Sequence, residues 1–202
     1  MKTPNPRFIA LVSAWGFAAF VAGAFHAQAK VPPLGLPFLI GVPTVALALG
    51  ALGTGWVGAG LRALGLPALL LFNVFRFVGF YFIWLQAHGR LPAEFAERAG
   101  WGDVVVAAGA VLLLLMPRVR ASRGAFLAWN LIGLIDLLIA VGPAAWLSAT
   151  RPGSMAEITG LPLALIPLWL VPLYLASHVF MMRAPGDVCA AGNSPTFSGG
   201  RG

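Results

Sequence analysis

The chain has 202 residues, of which 59% are hydrophobic and only 9% charged, so its polar side chains are too few to cover a water-facing surface. Its formal charge of +7 lies mostly between apolar runs, where Lys and Arg set topology, and this excludes a nucleic-acid-binding reading. The one cysteine, Cys189, sits in a polar tail, so an intramolecular disulfide, a CxxC redox pair and a cysteine metal cluster are all excluded.

The expected class is therefore all-α: a polytopic transmembrane helix bundle whose main partner is the lipid bilayer, as a monomer or small homo-oligomer. A window of roughly 19 residues finds six spans, at 8–25, 36–58, 66–87, 101–118, 125–147 and 161–182. Together they form one domain, residues 1–183. Arginine outnumbers lysine, and Ala, Gly and Pro are abundant, which fits a GC-rich bacterial coding bias and hence a bacterial inner membrane.

The first span has two readings. Lys2 and Arg7 precede it and Ala27-Gln28-Ala29 follows, the arrangement of a cleaved signal peptide, but its 18 apolar residues exceed a signal's usual apolar core and favour a retained helix. The second span pairs Ala46 with Gly50 and Ala51 with Gly55, small-xxx-small spacings that let helix backbones approach closely. The third, LLLFNVFRFVGFYFIW at 69–84, carries Arg76 near its middle and Asn73 three residues earlier on the same face.

The segment HGRLPAEFAERAGWGD at 88–103 reads as a short interfacial helix, opened by Pro92 and closed by Gly100, with Asp103 capping the next span. Glu94, Glu97 and Trp101 belong to this loop. The fourth span has only a short uncharged core, so a re-entrant segment is its alternative. Trp56, Trp84, Trp101, Trp129 and Trp146 fall near span ends, as an interfacial belt places them. In the sixth span Pro162 starts the helix, while Pro167 and Pro172 predict kinks. The glycine-rich tail, 184–202, is expected to be disordered.

Basic residues in alternate loops set the orientation. Lys2, Arg7, Arg62, Arg118, Arg120, Arg123, Arg183 and Arg201 fall on one side, against Lys30, Arg90, Arg98 and Arg151 on the other, which puts both termini in the cytoplasm.

Two constellations carry possible chemistry. On the outer side, His26 and His88 end the first and third spans at similar depth, a pair able to ligate a haem or, with a carboxylate, a divalent metal. No ligand-spacing motif accompanies them. His178, towards the cytoplasmic end of the last helix, cannot join them. In the interior, Arg76 costs about 2.5 to 3.5 kcal/mol if unpaired at mid-span, so a partner is expected. Asp136 is read as the only acid deep within a span, at a depth matching Arg76, with Asn73 in reach of the same carboxylate. Asn130 points about 120° from Asp136 and is left out of the site.

Arg76, Gly79, GRLPAEFA, AGWGD, the run Asn130, Gly133 and Asp136, and the proline-rich last helix resemble a group of uncharacterised bacterial multi-pass membrane proteins over roughly residues 76–182. The resemblance implies the architecture and brings no activity or cofactor. No serine triad, HExxH or P-loop occurs, so no catalytic residue is assigned and the cofactor is unknown. The leading expectation is a non-enzymatic protein whose Arg76 and Asp136 site binds or passes a small solute or ion. The alternatives are a redox or metal enzyme built on His26 and His88, and a scaffold in which the ion pair sets helix register.

Overall fold

The computed structural model describes residues 5–32, 35–151 and 153–183; the expected disordered tail and Cys189 lie outside them. The elements are α1 (Pro6–Ala24), α2 (Gly35–Leu52), α3 (Trp56–Val74), α4 (Gly79–Ala87), α5 (Ala93–Leu115), α6 (Pro117–Ala121), α7 (Arg123–Thr150), α8 (Ala156–Thr159) and α9 (Val171–Arg183). A 3₁₀ turn, Phe75–Val78, joins α3 to α4, and a π turn, Ile166–Leu170, leads into α9. No strand occurs among the described residues.

Five stretches are long and apolar enough to cross a membrane: Pro6–Ala24, Trp56–Ala87, Ala93–Leu115, Arg123–Thr150 and Ile166–Arg183. The expected second span is shorter than its sequence suggested, because helix α2 stops at Leu52 and Trp56 opens a new one. Its described apolar run, Phe38–Leu52, falls below spanning length.

Glycine and proline explain the breaks. Gly65, at φ 74 and ψ 164, interrupts α3 in a conformation that only glycine takes readily, and Pro67 then starts the continuing helix without needing its missing N–H. The apolar stretch thus restarts at Leu66, where the sequence placed the third span. In the last span Pro167 lies within the wide π turn and Pro172 follows just after it. Pro172 has no N–H for the Leu168 carbonyl and its ring crowds that carbonyl, and a wider turn relieves both problems.

Helix α5 corrects the reading of the 88–103 segment. It runs unbroken for 23 residues from the Pro92 cap, so there is neither a separate interfacial helix nor a re-entrant fourth segment, and Asp103 lies inside a helix rather than capping one. Gly100 does not end the helix. It is a point of close approach to the neighbouring helix: a side chain at Gly79 would meet the Gly100 carbonyl, and one at Gly100 would lie 2.9 Å from the Gly79 carbonyl.

The bundle buries two apolar cores. One gathers Phe8, Leu47, Ala51, Leu61, Leu113, Phe126, Phe180 and Met181; the other gathers Phe82, Leu85, Phe95, Ala99, Leu147 and Leu163. The ring of Phe8 fills the space over Gly60 at one end, and His26 fills the space over Gly160 at the other. Helix α2 packs chiefly on α9. It leads from the Ala27–Lys30 turn, which packs on α8, to Ala51 in the first core. Between the two cores lies a polar layer.

Candidate functional site

Arg76 stands in the 3₁₀ turn between α3 and α4, where its side chain is 1% exposed. Its Nε donates to Asp103 Oδ1 at 2.6 Å, its Nη2 to Asp136 Oδ2, and its Nη1 to the Gly133 carbonyl at 3.3 Å. Nη1 also faces His178 Nε2 at 3.5 Å, and the guanidinium lies over the Tyr174 ring, 5.5 Å from its centroid. One side chain therefore joins α5, α7 and α9. A planar fork with five donors suits this task better than lysine's point charge.

Asp103 is the correction to the expected pair. Asp136 is not the only acid at this depth: the two carboxylates are 14% and 10% exposed and share one guanidinium. Counted from the end they share, Arg76 lies about 16 Å from the close of α4 and Asp103 about 15 Å from the start of α5, at 1.5 Å per residue. Reading a helix through Gly100 would have exposed the match.

Asn130, left out on sequence grounds, is fully buried at the site through His178. Its Nδ2 donates to the His178 backbone carbonyl at 2.9 Å, and its Oδ1 lies 2.6 Å from His178 Nδ1. An amide oxygen only accepts, so Nδ1 must carry the proton, and Nε2 is left with a lone pair that accepts from Arg76. His178 is thus set as a neutral acceptor. The tail end of the last helix hid this residue in the sequence, since nothing in a single line of text shows that it turns inwards.

Glycines make the room. A side chain at Gly102 would collide with the Asp136 carboxylate, and one at Gly133 would collide with the His178 ring. Gly102 of AGWGD and Gly133 of NLIGLID are therefore where backbone must come close to a polar side chain of the site. Asn73 donates to the Leu69 carbonyl at 2.9 Å and is buried one turn before Arg76, but it makes no bond to either carboxylate. Its Oδ1 and the Tyr174 hydroxyl are buried without a hydrogen-bond partner among the described residues. The Tyr174 ring stacks on Phe72, with ring centroids 4.3 Å apart.

The outer residues are arranged differently. His88 is exposed, its Nδ1 lies 2.7 Å from the Trp84 carbonyl, and its ring packs on Trp84 at 4.2 Å. His26, at φ 49, stands between α1 and the Ala27–Lys30 turn, beside Gly160. Among the described residues no group of three His, Cys, Asp or Glu is placed to hold a metal ion. Glu94 instead pairs with Arg151 at 2.8 Å, and Glu157 with Arg90 at 2.7 Å. The hydrogen bond from Arg90 to Glu157 raises the guanidinium pKa above its ordinary value. Glu97 is exposed, and Trp101, also exposed, meets Phe80 edge-on at 6.3 Å. Trp129 faces the interior of the bundle: it is 8% exposed, and its indole donates to the Val106 carbonyl at 2.9 Å.

The chain belongs to the family described as Domain of unknown function (DUF8737), whose profile matches residues 33–184. The match reaches further than the resemblance read from the sequence, taking in α2 and all of α3 and leaving α1 outside. No curated protein and no solved structure matches the chain.

Proposed function

We propose that the chain is a six-span protein of a bacterial inner membrane, with both termini cytoplasmic, whose interior site binds or passes one small monovalent cation, a proton first of all. The observation that carries this reading is the charge count of the polar layer. Two carboxylates, Asp103 and Asp136, face one guanidinium, Arg76, between two apolar cores. The other titratable groups facing them, His178 and Tyr174 from α9, add no positive charge while neutral. With both acids ionised the site carries one excess negative charge, and an uncompensated charge in such surroundings is costly. A proton on one carboxyl, or a bound alkali cation, restores neutrality. Two further buried oxygens without a hydrogen-bond partner among the described residues, Asn73 Oδ1 and the Tyr174 hydroxyl, belong to the residue one turn before Arg76 and to the ring its guanidinium lies over. Helix α2 serves as the sixth span in this reading, since it leads from one end of the bundle to the other.

Infrared spectroscopy of the full chain in lipid tests it through the C=O stretch of a protonated carboxyl. At neutral pH the parent should show one such band, and either Asp103→Asn or Asp136→Asn should remove it. A band that appears only when sodium or potassium is withdrawn would identify the metal cation as the occupant. No protonated carboxyl and no cation dependence would overturn the proposal.

A second reading has its own support. Four acceptors from α5, α7 and α9 converge on Arg76, and glycines let the helices close around them. This favours a register lock, with the network specifying which helix faces meet. Spectra unchanged across pH and cations, together with a large loss of folded protein on removing Arg76, would select it.

A further inference from the structure

A groove opens along α3 where Gly65 breaks the helix. It has a volume of about 700 Å³ and is bordered by Ala59, Arg62, Ala63, Gly65, Pro67 and Ala68. It is a half-open trough along one helix rather than an enclosed pocket. Its walls are mostly small and apolar because alanine and glycine leave a trough where larger side chains would fill it. Arg62 on its rim is exposed and has no acidic partner among the described residues.

The surroundings are one-signed. Phe8 lies over Gly60, which brings the start of α1, with Arg7, to the same end of the bundle. The end of α5, α6, the start of α7 and the end of α9 add Arg118, Arg120, Arg123 and Arg183 there. The acids of the described residues are elsewhere: Glu94, Glu97 and Glu157 lie at the opposite end, and Asp103 and Asp136 lie inside.

We propose that this groove is a binding site for an anionic phospholipid, with the headgroup phosphate on Arg62 and an acyl chain along the kink of α3. Charge complementarity chooses the occupant. An apolar trough with a cation at its mouth matches a lipid with a negative head and a hydrocarbon tail, and a basic face matches the anionic leaflet of an inner membrane. Arginine also offers the phosphate a bidentate fork. The proposal rests on the membrane reading above but is independent of the interior cation site.

Membrane insertion is checked first, by resistance of the full chain to extraction with alkaline carbonate. Loss from the pellet would refute the membrane reading itself. Lipid selectivity is then measured by native mass spectrometry of the detergent-purified chain against phosphatidylglycerol and phosphatidylcholine. The parent should retain phosphatidylglycerol preferentially. Arg62→Gln, an exposed change that leaves the core intact, should cut that retention about fivefold, the effect of one basic residue near an anionic surface. Ala63→Trp, which fills the trough and keeps the charge, should cut retention of both lipids. Equal retention of the two lipids by the parent would overturn the proposal. So would an Arg62→Gln variant that binds as the parent does, or a loss seen only with Arg123→Gln.

Discussion

Replacing Arg76 with methionine keeps much of the side chain's volume and removes its charge and donors. Its bonds to Asp103, Asp136, the Gly133 carbonyl and His178 Nε2 all go at once. Two carboxylates are then stranded against a closely packed glycine surface. Breaking one buried ion pair by removing a partner costs about 3 to 5 kcal/mol, and both acids depend on this one. For a chain of this size that corresponds to a fall in melting temperature of roughly 6 to 20 °C. The assay is thermal denaturation in detergent micelles read by fluorescence-detected size exclusion. The shared guanidinium sharpens the test. Arg76→Met with Asp136→Leu should recover only part of the loss, because Asp103 stays unpaired, whereas adding Asp103→Leu should recover most of it. Exchanging Arg76 and Asp136 should recover nothing, since the exchange sets a carboxylate against Asp103. An Arg76→Met chain that melts within about 2 °C of the parent, or a double variant as stable as the triple, would refute the network.

Glycine substitutions should divide by site in the same assay: Gly102→Ala drives a methyl into the Asp136 carboxylate and should cost about 1 to 3 kcal/mol, while Gly142→Ala, with open space around it in α7, should stabilise by up to about 1 kcal/mol. Reporter fusions after residues 54, 120 and 183 should read cytoplasmic and one at 89 should read periplasmic; a periplasmic signal after residue 54 would mean that α2 does not cross. Arg151→Ala removes an ion pair with Glu94 whose side chains are each 50% exposed, together with the guanidinium's place over the Trp146 ring, so it should lower stability only slightly, and high salt should shrink the difference.

The sequence by itself determined the class of this protein. Long apolar runs, sparse charge and breaks at glycine and proline leave no other arrangement than packed helices, and Arg76 in such a run demands a counter-charge wherever it lies. Of the residues that suggested a family, Arg76, Gly102, Asn130, Gly133 and Asp136 meet at one polar layer, whereas Leu91, Phe95 and Ala96 of GRLPAEFA belong to an apolar core. What those glycines do was not legible. Gly100 looks like a helix stop on paper and is a helix crossing in space, because the absence of a Cβ serves either purpose and only the neighbour decides which. That one ambiguity concealed Asp103, which seemed to lie in a loop and is an interior ligand of Arg76. Asn130 and His178 were hidden for a different reason. Their bond joins positions 48 residues apart on two helices, and depth along each helix can be counted from sequence, whereas rotation about its axis is set by packing. The count of two acids to one guanidinium, on which the functional reading turns, therefore belongs to the tertiary structure alone.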